Sequence, residues 1–243
     1  MIIFMLLLCQ ATLGLYIGRP LSNINFGSIR KDVPSHFFHS HLGNAKDVPI
    51  FVVESITSPV ITRITRSEKI VTAFVDPRDA IDYLTELTQA GSAVEYELPS
   101  LRIRILTLQE LFEKIDPTKP RISSHIKYKL VPSSSQLPLA SLYLPLSYKN
   151  DVHIPLFYSK ALNISPTEGK VLTPLFWDFA DLTASINMIS DLQHREALIK
   201  SIGILSLFDI LLENPRLDGY YMVPSLQALQ FCQKEKNKTL FTF

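Results

Sequence analysis

Few residues in this chain have the type and spacing that chemistry needs. Two D-x-x-D pairs, Asp76/Asp79 and Asp178/Asp181, offer paired carboxylates of the kind an acid–base catalyst uses. Each pair also opens an apolar-periodic segment, and there the same spacing follows from helix capping and from the attraction of acids to a helix N-terminus. His36, His39 and His41 could supply metal nitrogens at short spacing, but no cysteine or acidic cluster nearby completes a shell. His125, His153 and His194 are isolated from one another; sequence order alone does not exclude a triad with Ser and Asp. Cys232 lies in the apolar stretch LQALQFC, where a cysteine is a small core residue more often than a nucleophile. There is no G-x-S-x-G elbow, no P-loop and no dinucleotide fingerprint. Asn163-Ile-Ser165 and Asn237-Lys-Thr239 match the glycosylation sequon, which has meaning only in a secretory lumen. No catalytic residue, cofactor or metal is therefore expected, and the chain reads as a non-enzyme.

The elements that would position these residues belong to a well-filled fold. Of 243 residues, 47% are hydrophobic and 19% charged, enough for one sizeable core or two packed halves. A formal net charge of +1 with no run of like charge gives nucleic acid no electrostatic footing. Cys9 falls in an N-terminal apolar run, so Cys232 is left without an internal partner once that run is removed. Glycine numbers 8 and proline 16, which favours stiff connections. Residues 1–18 carry no charge around an apolar centre and read as a signal peptide, with an uncleaved anchor as the alternative. Residues 19–47 set Arg19, Arg30, Lys31 and Lys46 among Ser, Asn and His and read as a transit-peptide-like leader. A signal followed by a transit segment is the address used by organisms whose plastid lies inside extra membranes, such as an apicoplast.

From Val48 onward the chain states one pattern twice. VPIFVVES at Val48 returns as IPLFYSKA at Ile154, FVDPRDA at Phe74 as FWDFADL at Phe176, ILTLQELFEKI at Ile105 as ILSLFDILLEN at Ile204, and KLVPS at Lys129 as YMVPS at Tyr221. The matches are collinear with a period of about a hundred residues, too long for a solenoid and suited to two half-domains. The fold class expected is α/β and internally duplicated, with two β-β-β-α-β-α-β halves related by a pseudo-twofold axis and packed as one unit. The halves span 48–143 and 144–233, and 234–243 forms a charged tail. In the first half Asp76 caps a helix with Pro77 at its first position, and Thr107-x-x-Glu110 forms a capping box. In the second, Leu182, Ile186, Ile189 and Leu192 form the apolar stripe of one helix after Asp178.

These segments resemble a known family: the twenty-two-kilodalton subunit of Tic, the translocon at the inner envelope membrane of chloroplasts, with its cyanobacterial and apicoplast relatives. VPIFVVES is similar to the family's opening strand, FVDPRDAIDYLTEL to its helix entry and RIRILTLQELF to its following strand and helix. IKYKLVPSSSQLPLA, HIPLFYS, PLFWDFADL, SIGILSLFDILLE and YYMVPS follow the rest in order, from about Val48 to Ser225. Ser133 departs from the family's Asp after the strand proline, and Trp177-Asp178-Phe179 is bulkier than its usual helix entry. The resemblance implies a plastid import factor that binds precursor polypeptides chaperone-like and works with other translocon subunits. It would associate peripherally with the envelope in or near the intermembrane space, reached through the secretory pathway. Unfolded clients present apolar side chains, so an exposed apolar groove is expected, with the paired aromatics Phe51, Phe74, Tyr83, Phe157, Phe176 and Trp177 as its candidates. The alternatives are a small α/β organellar hydrolase and a peripheral membrane adaptor.

Overall fold

A computed structural model describes residues 44–55, 59–61, 63–64, 69–92, 100–115, 126–143, 154–167, 170–214 and 216–240. The signal segment 1–18, all of 19–47 before Asn44, residues 144–153 and His36, His39, His41, His125 and His153 lie outside the described residues. Among the described residues, a 3-10 turn at Ala45–Asp47 comes first, and the first half then contains β1 (Pro49–Ser55), β2 (Arg63–Ile64), β3 (Lys69–Phe74), α1 (Pro77–Ser92), β4 (Leu101–Thr107), α2 (Leu108–Ile115), β5 (Ile126–Val131) and α3 (Leu137–Tyr143). The second contains β6 (Pro155–Ser159), β7 (Ile164–Thr167), β8 (Lys170–Phe176), α4 (Phe179–Asn187), α5 (Leu192–Lys200), β9 (Ile202–Ser206), α6 (Leu207–Glu213), β10 (Tyr220–Val223) and α7 (Leu226–Leu240).

The expected capping box forms: the Thr107 N–H donates to Glu110 Oε2 at 2.7 Å and the Glu110 N–H to Thr107 Oγ1 at 3.1 Å. Pro138 does not interrupt α3, because it occupies the first turn, where its missing N–H has no bond to make. The single helix expected after Asp178 is two. Asp191 accepts from the N–H groups of Gln193 and His194 and so starts α5 afresh, after a break at Met188–Asp191. α7 runs on to Leu240, beyond Lys234 where a tail was expected.

The two sheets repeat one arrangement. β3 pairs in parallel with β5, while its other edge meets β2 at its start and β1 at its end, and β1 pairs antiparallel with β4. β8 pairs in parallel with β10, meets β7 and β6 in the same way, and β6 pairs antiparallel with β9. Register agrees as well: Phe51 lies opposite Phe74 and Phe157 opposite Phe176. One local difference is Gly203, where a Cβ would come within 2.9 Å of the Tyr158 ring laid across it. Mixed sheets with apolar residues on both faces need cover on both sides. The inner faces supply one shared core, with Ile50, Val52, Val71 and Ala73 from the first sheet and Leu156, Leu175 and Met222 from the second, together with Trp177 and the helices α2 and α6. On the outer faces, α1 and α7 cover the first sheet and α4 and α5 the second. α7 therefore crosses from the second half to pack on β1 and α1, and α3 crosses from the first half to pack on β9.

Folding begins before the boundary expected at Val48. Ala45 is buried in the shared core, and the Asn44 side chain occupies the free edge of β10, donating to the Met222 carbonyl at 2.6 Å and accepting its N–H at 2.8 Å. A side-chain amide here stands in for a neighbouring strand. Asn44→Ala leaves both backbone groups of Met222 without these partners and should cost about 1–3 kcal/mol. Urea unfolding followed by the fluorescence of the single tryptophan, Trp177, measures the loss; no change would show that the amide is idle.

Candidate functional site

The six aromatics chosen from sequence are foundations and not an open groove. Phe51, Phe74, Phe157, Phe176 and Trp177 are all buried, and Tyr83 is half-buried on α1. The reason is register: strands covered on both faces bury successive side chains alternately in the shared core and under the outer helices. Phe51 meets the edge of Phe231 with ring centroids 5.4 Å apart, and Phe74 meets Tyr83 at 5.5 Å. In the second half Phe157 meets Phe179 at 5.4 Å. Trp177 lies in the shared core, and among the described residues its indole Nε1 has no hydrogen-bond partner.

The two D-x-x-D pairs have matching jobs. The first acid of each caps its own helix: Asp76 accepts from the Arg78 N–H at 2.9 Å and Asp178 from the Ala180 N–H at 2.7 Å. The second reaches across to the residues after a V-P-S turn. Asp79 accepts from the N–H of Ser134 at 2.9 Å and from its hydroxyl, and Asp181 accepts from the Leu226 N–H at 2.8 Å. The pairs also approach each other across the halves. Gln136 accepts from the Phe179 N–H at 3.1 Å, and the Arg78 guanidinium, 2.7 Å from Asp76, is stabilised by Asp178 as well. Burial pushes the Asp79 carboxyl up, with the Asp76 charge adding to it, and pushes the Asp178 carboxyl up, with Asp181 adding to it. Burial would raise Asp76 too, but hydrogen bonds from Arg78 and Ser133, with the Arg78 charge, hold it below the ordinary aspartate value.

Comparison with known proteins decides the family. The model of the Tic22-like family matches residues 42–231. The chain belongs to the Tic22-like family. Among solved structures it is similar to Tic22 from Plasmodium falciparum, with a TM-score of 0.67 and 23% identity over 80% of this chain and 96% of that one. It is also similar to Anabaena Tic22 (protein transport), with a TM-score of 0.61 and 16% identity over 84% of this chain and 98% of that one. A search of curated proteins gives no match.

In this Tic22-like chain the apolar surface lies where sequence periodicity did not place it. Met188 is 87% exposed, Leu192 60% and Ile199 50%. Met188 and Leu192 flank the break between α4 and α5, and Leu192 and Ile199 share a face of α5 at two-turn spacing. Leu192 was expected on the buried stripe, but restarting the helix at Asp191 turns it outward. Its signal in the sequence was Asp191 itself, a cap residue inside an apparently continuous stripe. A less exposed set, Ile81, Leu226 and Leu229, lies on α1 and α7, and Leu142 and Val171 are exposed singly on α3 and β8.

The remaining candidates have ordinary surroundings. His194 is exposed, its N–H bound to Asp191. Cys232 lies on the inward side of α7 against the Phe51–Phe74 cluster, where burial pushes its thiol up, the reverse of an activated nucleophile. Asn163 is exposed beside Thr173. Buried Glu54 is held by Arg102 at 2.8 Å and Arg104 at 3.4 Å. Among the described residues no group of three or more His, Cys, Asp or Glu is placed to hold a metal ion, and no helix is long and apolar enough to cross a membrane.

The junction of acids has a signed pH dependence. Asp76, lowered in the fold, contributes stability that is full above the ordinary aspartate value and is lost as pH falls through its folded value. Asp79 and Asp178, raised in the fold, oppose folding when ionised, and that penalty vanishes as pH falls through their raised values. Acidification from neutrality should therefore first stabilise the protein slightly and then destabilise it. Asp178→Asn should remove part of the early gain, and Asp76→Asn should cost about 2–3 kcal/mol at neutral pH and flatten the late loss. Denaturant midpoints taken across pH test both; curves unchanged by either substitution would remove the carboxylates from the account.

Proposed function

We propose that the protein is a plastid import factor that holds precursor polypeptides in a chaperone-like manner while they cross the envelope. Membership of the Tic22-like family supports the transport role, and the two-part composition of residues 1–47 supports an apicoplast-type plastid reached through the secretory route. The intermembrane space, peripheral contact with the envelope and partnership with other translocon subunits complete this reading. The repeated sheets fit descent from a duplicated half-domain.

The observation that carries the binding mode is the exposure of Met188 and Leu192 on either side of one helix break and of Ile199 two turns along α5 on the Leu192 face. An isolated exposed leucine means little, whereas several large apolar side chains gathered on one surface leave apolar area that a partner can cover. Methionine suits varied clients, because its unbranched, polarizable side chain adapts its packing. A binder of unfolded chains needs such surface without tight sequence readout.

The protein should suppress aggregation of a thermally unfolding model enzyme without ATP, as light scattering reports. Met188→Ser/Leu192→Ser/Ile199→Ser should weaken suppression by roughly half or more while leaving the fold intact, since exposed substitutions shift stability little. Absence of suppression by the parent protein at severalfold excess would end the chaperone reading. Suppression that persists in the triple variant would move the binding surface elsewhere.

A further inference from the structure

The outer face of the first sheet is roofed by a helix that arrives from the other half. α7 sets Ala228, Phe231 and Cys232, spaced i, i+3 and i+4, onto Phe51, Phe74 and Val131 of the sheet and Ala80 and Tyr83 of α1. Its seat is shallow. Ala228 is buried, Phe231 and Cys232 are half-buried, and Leu226 and Leu229 are exposed. On the second sheet the corresponding face is closed by α4 and α5, which send Leu182, Ile186 and Leu198 fully inward.

Charge adds a second, independent mark. α1 presents Asp82 and Glu86 on its exposed side, and α7 brings Lys234 and Lys236. Glu86 and Lys236 border the same apolar cluster. The Tyr83 phenol, raised first by burial, is raised further by Glu86, and the Cys232 thiol, raised by burial, is drawn back by Lys236. The face thus holds a helix with a small residue, an aromatic and a small residue along one stripe and lysines beyond it.

We propose that this face, floored by Phe51 and Phe74 and walled by α1, is a docking groove for a basic amphipathic helix of an incoming polypeptide, and that α7 is its displaceable resident. The proposal deepens the import reading and rests on it. Helix-in-groove recognition reads an i, i+3, i+4 stripe, and acid-poor amphipathic composition is the mark of organellar targeting segments. α7 competes at the high effective concentration of a tethered ligand, so an incoming helix binds with an affinity reduced by the fraction of open groove. The tether is Pro224-Ser225, fastened where Asp181 accepts from the Leu226 N–H at 2.8 Å and Ser225 Oγ accepts from the Ala228 N–H at 3.2 Å.

The probe is a fluorescein-labelled synthetic peptide of residues 225–240, titrated by anisotropy into the full chain. Asp181→Asn/Phe231→Ala, which loosens α7, should bind it roughly tenfold tighter than the parent, as expected when a tethered competitor is weakened. Adding Asp82→Lys/Glu86→Lys should return about fivefold of that gain. A peptide with alanine in place of its phenylalanine should bind neither chain. Trp177 lies outside this cluster, so its emission and the far-UV circular dichroism report the fold independently of α7; should the double variant unfold, Asp181→Asn alone takes its place. Equal peptide affinity for loosened and parent chains overturns the proposal. So does binding of the loosened chain to phosphatidylserine vesicles and not to the peptide, which would make the face a membrane contact. The same variants are assayed for aggregation suppression. Suppression without peptide binding removes the groove and leaves the import reading; peptide binding without suppression supports the groove and removes the chaperone.

Discussion

Every layer of this protein depends on covering two sheets that are apolar on both sides. β1 is buried throughout its length, so Ile50 and Val52 need a partner on one side and Phe51 needs one on the other. Each such side chain gains roughly 1.5–3 kcal/mol by leaving water, and it does so only when its own face is closed. The inner faces solve half the problem by meeting each other around Trp177, α2 and α6. For the outer faces, α1 needs help on the first sheet, and that help is α7. Because α3 and α7 each pack on the other half, neither half carries its complete cover. Cooperativity between the halves follows from that exchange, in addition to the shared core.

The exchange has to be steered, and the carboxylates do the steering. A strand that ends in V-P-S gives its following helix no intrinsic direction, since proline breaks the ladder and donates nothing. Asp79 fixes the first departure by holding Ser134, and Asp181 fixes the second by holding Leu226. Burying acids is costly, and the raised Asp79 and Asp178 show that the cost is only partly offset. What the arrangement secures is geometry: Arg78 pairs with Asp76 and feels the Asp178 charge at the seam between the halves, where an apolar contact would tolerate many angles.

Local grammar was legible in the sequence because each rule acts over a few residues. The buried run of β1, the Thr107–Glu110 box and the Asp76 and Asp178 caps all stand where spacing put them. The repeated segments also fell on sheets of matching strand order. Long-range choices were not legible. Nothing in LQALQFC says that the helix will cross to the first sheet, and the lysines after it resemble a frayed end although they continue a helix. The aromatics were expected at an open surface for the same reason: a phenylalanine in a strand looks identical whether its face meets solvent or a helix from elsewhere in the chain. Leu192 failed differently, since one cap residue, Asp191, outweighed the periodicity around it.

The likeness of the two halves makes their difference informative. Sheets of the same strand order receive unequal roofs, and the inequality follows from one local event. The break at Asp191 gives the second half two helices, α4 and α5, each able to send leucine or isoleucine inward at its own angle. It also leaves Met188 and Leu192 outside, so the better-sealed face carries the more apolar exterior. The first half keeps one long helix, α1, whose stripe is too narrow for the whole face, and the remainder falls to α7 with a single fully buried alanine. Retaining a shallow, lysine-bearing helix over the aromatic face is what a protein needs if that face must sometimes be uncovered: local opening costs less where fewer apolar contacts break.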